Sequence, residues 1–311
     1  MSLRIQIIIV IAVLLSALTI TRIFTSSMIG DTNAQNDSAL TTEDSGAISP
    51  TNQKVEAKKI PVRKMEVLDP QVDAESVLVQ SLNLNFPLFN YQTSKKWPIA
   101  SITKLMTAIV ISEQFGLTKK IPITKTAVEV EGIAGDLKSG EVYSSEDLMK
   151  IMLLVSSNRA ATAFEEFVGG RELFANLLNT KAKNLGMTQT VFYDGSGLST
   201  QNESTTSDLL KLAKYLIEKH PEIISWTRLQ TIKVQPMNTA VSRNVYNINT
   251  FASETTFLGG KTGTSYEARE NLLALFSFDD DRVVYIILGT HDRVGQTDKL
   301  LKWIRQAYTF N

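Results

Sequence analysis

The hydropathy of the chain opens on a nearly unbroken apolar run, "IQIIIVIAVLLSALTI" at residues 5–20, with Arg4 before it and Arg22 after it. The run exceeds a signal-peptide core, reaches the length of a membrane span if it extends through Phe24, and is followed by no clean A-x-A cleavage site. The expectation is an uncleaved signal anchor, a transmembrane helix over residues 1–24. Cleavage is the alternative and would make the protein secreted. From about Thr25 the sequence turns to Ser, Thr, Asn, Asp, Gln and Glu, which cannot bury enough apolar surface to offset ordering entropy. Residues 25–65 are therefore expected to be a flexible polar tether, with a folded domain over 66–311.

Within that domain the periodicity changes twice. "SVLVQSLNLNFPLFNY" (76–91) predicts two short strands around a polar turn. From Ser101 to His220 apolar residues recur at helical spacing, as in "SEDLMKIMLLVSSNRAATAFEEFVGG" and "TSDLLKLAKYLIEKHPEI". Strand-like runs return at "LQTIKV", "NLLALFSF" and "RVVYIILGT", and "DKLLKWIRQAY" predicts a closing amphipathic helix. Strands at both ends with helices between them imply an α+β domain whose sheet is assembled from distant segments.

Composition narrows the chemistry. The 32 basic residues balance the 32 acidic ones, so no net field draws the chain to nucleic acid. The absence of cysteine excludes disulfides, thiolate catalysis and thiolate metal sites. His220 and His291 are the only histidines and form no HExxH pattern, so neither a metal site nor a cofactor is expected. A Ser-His-Asp triad is equally short of candidates. His220, followed by Pro221, reads as a helix end.

Other residues stand where chemistry could use them. In "PIASITKLMTA" (98–108), Ser101 and Lys104 are three apart on a predicted helix and share a face. "SSN" at 156–158 follows an apolar helix, and "GGKTGTS" at 259–265 stands just before a strand. The set S-x-x-K, S-D-N and K-T-G marks class A β-lactamases and penicillin-binding proteins, and here all three occur in order, the middle one as Ser-Ser-Asn. From about Ala74 to Tyr308 the chain resembles the serine-type D-alanyl-D-alanine carboxypeptidases, the low-molecular-mass penicillin-binding proteins of peptidase family S11. "WPIASITKLMTA", "LGMTQTVFYDGSGLS" and "GGKTGTSYEARENLLA" carry the likeness beyond the triplets.

The resemblance implies a β-lactamase/transpeptidase-like fold, an antiparallel sheet flanked by helices with an inserted all-helical subdomain. It also implies roles. Ser101 would attack the peptide carbonyl, and Lys104 would be its base, kept partly neutral by burial and by the neighbouring Lys261. Ser156 would relay a proton to the leaving amine, and Asn158 would orient Lys104 and the substrate amide. Lys261, Thr262 and Thr264 would face the substrate's carboxylate along a strand edge where Gly260 and Gly263 admit close backbone approach, and the Ser101 and Thr264 N–H groups would hold the oxyanion. Gly195 and Gly197 read as turn formers.

The implied activity is trimming of the terminal D-alanine from peptidoglycan stem peptides at the outer face of a bacterial membrane, with β-lactams as covalent inhibitors. Many relatives carry a carboxylate-binding arginine on the strand after K-T-G; the nearest residues here are His291 and Arg293, and either could serve. D,D-endopeptidase action on cross-links stays open for that reason, as does a degenerate wall-binding scaffold. A β-lactamase would need a second carboxylate, usually in an E-x-x-L-N loop, and no such segment lies between "SSN" and "KTG".

Overall fold

The computed structural model describes residues 60–278 and 281–309, all within one unit, Ala57–Asn311. The anchor expected over 1–24 and the tether up to residue 59 lie outside the described residues. Among the described residues no helix is long and apolar enough to cross a membrane.

The first strands are β1 (Val62–Arg63), β2 (Ser76–Ser81), β3 (Phe86–Tyr91) and β4 (Trp97–Pro98). A 3-10 turn, Ala100–Ile102, leads into α1 (Thr103–Phe115), followed by β5 (Lys120–Pro122), α2 (Lys125–Glu129) and β6 (Val142–Ser144). Helices α3 (Ser145–Leu154), α4 (Asn158–Val168) and α5 (Arg171–Asn184) come next. After β7 (Glu203–Ser204) follow α6 (Thr206–Lys219), α7 (Pro221–Arg228), β8 (Thr231–Val234) and β9 (Arg243–Tyr246). The chain returns to the main sheet in β10 (Phe257–Ser265), β11 (Arg269–Phe278) and β12 (Asp281–Thr290), then ends in α8 (Arg293–Ala307) and β13 (Tyr308–Thr309).

Five strands pair antiparallel in the order β10-β11-β12-β2-β3, so N-terminal and C-terminal segments share one sheet with a helical region inserted between them. Both faces of this sheet are covered, which is why β11 and β12 read as continuous apolar runs rather than alternating ones. Leu273, Leu275, Val284 and Ile286 pack with α1 and the inserted helices, while Leu272, Phe276, Tyr285 and Ile287 pack against Leu300, Trp303 and Ile304 of α8.

Helix α1 is buried continuously from Thr103 to Ile111, so it runs through the middle of the molecule. The polar side chains of that stretch, Thr103, Lys104 and Thr107, are carried into the core. Two further expectations change in detail. The helical run expected across 145–170 is two helices, because Ser156 adopts a left-handed φ of +58° and the Ser157 hydroxyl caps α4 by accepting from the Ala160 N–H. The fold also begins earlier than residue 66: β1 pairs with β13, and the Arg63 guanidinium lies 4.9 Å from the centre of the Trp303 ring.

Candidate active site

Ser101 occupies the 3-10 turn that enters α1, half-buried, with Ala100 before it at a left-handed φ of +46°. Two glycines let other segments close on this turn. A Cβ at Gly197 would stand 2.0 Å from the Ala100 carbonyl oxygen, and one at Gly263 would stand 2.6 Å from the Ile99 carbonyl oxygen and 3.2 Å from the Ser101 nitrogen. Only bare backbone fits there, so the 194–199 loop and β10 both reach the serine's main chain.

Lys104, 0% exposed, sends its Nζ to three acceptors: Ser101 Oγ at 2.9 Å, Asn158 Oδ1 at 2.8 Å and the Ser196 carbonyl at 2.5 Å. Asn158 is oriented by its own Nδ2, which donates to the Glu131 carbonyl at 3.0 Å. An ammonium has three N–H groups and all are used. When the amine is neutral it keeps two, and the two carbonyl oxygens can only accept, whereas the Ser101 hydroxyl can also donate. The lone pair is thereby directed onto the serine proton.

Burial lowers the Lys104 pKa to about 7, against the opposing pull of the Asp194 and Glu165 carboxylates. Desolvation is the first cause, as expected, and the mutual repulsion of the Lys104 and Lys261 cations is expressed at Lys261. Lys261 is itself depressed well below the usual lysine range, first by burial and then by the charges of Lys104 and Arg293.

The K-T-G segment lies within edge strand β10 and just before β11, as expected. Lys261 is 2% exposed and no solvated turn residue: its Nζ donates to Ser156 Oγ at 3.1 Å and to the Thr262 carbonyl at 2.8 Å. Ser156 therefore accepts from Lys261 and keeps its own proton to give. Thr262 and Thr264 border an open cavity of about 390 Å³, together with Glu270, His291 and Arg293. Arg293 reaches β10 through Nη2, which donates to Thr264 Oγ1 at 2.6 Å, and through Nη1, which donates to the Gly263 carbonyl at 3.2 Å. Its Nε pairs with Glu270 at 3.1 Å. The His291 side chain is 66% exposed and turned to Asp73 at 3.4 Å.

The four residues expected in catalysis thus meet the K-T-G strand: Lys104 binds Ser101 and Asn158, Lys261 binds Ser156, and Gly263 closes on the Ser101 main chain. Sequence reasoning missed the Glu131 and Ser196 carbonyls, because main-chain acceptors leave no residue signature. It also missed Asp194 and Glu165, although an Asp opening the glycine-rich "DGSGLS" is a turn signal.

The D-alanyl-D-alanine carboxypeptidase family, peptidase S11, matches residues 61–292. The chain belongs to this family. It is 28% identical over 252 residues to a D-alanyl-D-alanine endopeptidase of Escherichia coli, covering 76% of this chain and 78% of that protein. It is 31% identical over 250 residues to the D-alanyl-D-alanine carboxypeptidase DacC of the same organism, covering 75% of this chain and 62% of that protein. Among solved structures it resembles penicillin-binding protein D2 of Listeria monocytogenes in its cefotaxime-bound form. That match has a TM-score of 0.66 at 27% identity over 76% of this chain and 99% of the other. The α+β architecture with an inserted helical region is that of the penicillin-binding D,D-peptidases.

Proposed function

We propose that this chain is a serine D,D-carboxypeptidase that removes the terminal D-alanine from peptidoglycan stem peptides through an acyl-enzyme on Ser101. The observation that carries the reading is the Lys104 amine, buried, depressed to about 7 and bonded to Ser101 Oγ. Lys104 takes the serine proton as Oγ bonds to the penultimate D-alanine carbonyl, with the Ser101 and Thr264 N–H groups facing the oxyanion. Ser156 passes a proton to the departing D-alanine nitrogen as the C–N bond breaks and is reprotonated from Lys104, which returns to the free amine. Water then attacks the ester as Lys104 takes its proton, and Lys104 gives that proton to the departing Ser101 Oγ. Thr262, Thr264 and Arg293 hold the leaving residue's carboxylate; the bond between Arg293 and Thr264 favours Arg293 over His291 in this role.

Intact mass of the full chain after addition of benzylpenicillin, with Ser101→Ala as control, tests the acylation. A long-lived adduct on the wild type alone, with D-alanine released from a pentapeptide, is the expected result. No adduct and no D-alanine would overturn the reading. The endopeptidase of E. coli, aligned over 78% of its own length, favours D,D-endopeptidase action on cross-links as the second reading. Product analysis on cross-linked muropeptides separates the two.

We propose further that the enzyme works at the outer face of the bacterial membrane, held there by residues 1–24. Protease accessibility in spheroplasts tests this: cleavage of the domain without lysis supports it, and protection until lysis opposes it.

A further inference from the structure

The segment "DGSGLS" does more than turn the chain. Asp194, 3% exposed, spends its carboxylate on the residues that follow it. Its Oδ1 accepts from the Ser196 N–H at 2.7 Å, the Ser196 hydroxyl at 2.9 Å and the Gly197 N–H at 2.5 Å. Its Oδ2 accepts from the Ser199 N–H at 2.6 Å. The next residue is held at both ends: the Gly195 N–H donates to Glu165 at 2.7 Å, and the Gly195 carbonyl accepts from the Thr107 hydroxyl at 2.6 Å. Lys104 and Thr107 are one turn apart on α1, so successive turns of one helix hold the Ser196 and Gly195 carbonyls.

We infer that Asp194 is a positioning residue for acyl transfer: it folds the 194–199 loop so that the Ser196 carbonyl occupies one N–H of Lys104 and leaves the amine's lone pair to Ser101. This rests on the reading of Ser101 as nucleophile. Without the carboxylate, a loop of two glycines and two serines has many conformations of similar energy. The Ser196 carbonyl then leaves Lys104, and the lone pair of the neutral amine is free to point elsewhere.

The test uses the full chain carrying Asp194→Asn, which keeps the side chain's size but sets an NH₂ group against one set of N–H donors. Acylation by benzylpenicillin is expected to slow by about tenfold or more, with the affinity of the preceding non-covalent complex unchanged. The acidic limb of the rate should also move to lower pH, because a carboxylate that favours protonated Lys104 is gone. Glu165 from α4 and Lys261 from β10 face the same amine, so Glu165→Gln serves as a comparison. It should move the limb the same way while its amide oxygen still accepts from Gly195. A purely structural role would lower the amount of active enzyme and leave the acylation rate per active site unchanged at pH values where Lys104 is the free amine.

Ser196→Ala, which removes one of the four bonds to Asp194, gives a smaller loss of the same kind and stands in if Asp194→Asn does not fold. Titration of Lys104 by ¹³C NMR in lysine-labelled protein reads its environment without turnover. A wild type inert to benzylpenicillin would defeat the Ser101 reading, while the lysine titration would still decide the part played by Asp194. Unchanged acylation and an unchanged Lys104 titration in Asp194→Asn would overturn the inference.

Discussion

Lys104 and Ser101 face each other at 2.9 Å from successive turns of one helical segment, with the lysine wholly inside the protein and the serine at its edge. A protonated Lys104 cannot accept the serine proton, so acylation should follow the fraction of free amine. With the lysine at about 7, the rate is expected to rise as pH increases through 7 and to level off above it. Stopped-flow acylation by a β-lactam from pH 5 to 9 measures this. A limb about two units higher would mean that burial does not govern the amine.

The approach of the 194–199 loop to the nucleophile turn depends on a missing side chain. Gly197 combines a left-handed φ of +83° with a Cβ position 2.0 Å from the Ala100 carbonyl oxygen. Gly197→Ala must move either the loop or the turn that carries Ser101. A loss of about 2–4 kcal/mol in urea unfolding is expected, with slower acylation in the folded fraction. Wild-type stability in this variant would mean that the loop is not seated on Ala100.

Much of this was legible in advance, and the limits have physical causes. "NLLALFSF" and "RVVYIILGT" were readable as strands because burial on both faces leaves short continuous apolar runs. "SSN" could be read as the end of an apolar helix, but the left-handed φ of Ser156 that makes the break leaves no mark in the sequence. Residues 62–63 looked like tether because two residues carry no period; their strand exists only through Tyr308 and Thr309, some 240 positions away. The side-chain set of the site was readable because its spacing is local. Arg293 could be named but not distinguished from His291, because the direction of each side chain is set by how α8 meets β12.

In the proposed reaction Arg293 would offer the leaving residue a guanidinium already aligned by Glu270 and two carbonyls. If it holds the carboxylate before and during the reaction alike, Arg293→Ala removes uniform binding. KM for the pentapeptide is expected to rise by about tenfold or more, with kcat within about threefold of wild type. Steady-state D-alanine release measures both. A fall in kcat at constant KM would move Arg293 from substrate binding to the shaping of β10, whose Gly263 and Thr264 it also touches.

The lysine proposed as the base should also mark the stability of the fold. Lys104 has a reference pKa of 10.5 and is lowered to about 7 in the folded protein. Between those values the unfolded chain binds more protons at this site than the folded one, so its contribution to stability rises with pH across that window. Below about 7 both states are protonated and the contribution is flat and least favourable. Lys104→Met removes the titration, together with the donors to Asn158 Oδ1 and the Ser196 carbonyl, a loss that does not depend on pH. The stability of wild type minus that of Lys104→Met should therefore climb between pH 7 and 10, by at most about 1.4 kcal/mol per pH unit. Tyr143 and Tyr285, both raised by burial, are common to the two proteins and cancel in the difference. Urea unfolding of both proteins at each pH gives that difference directly. A flat difference would mean that the buried lysine titrates as it does in the unfolded chain, and the source of a free amine for Ser101 would have to be sought elsewhere.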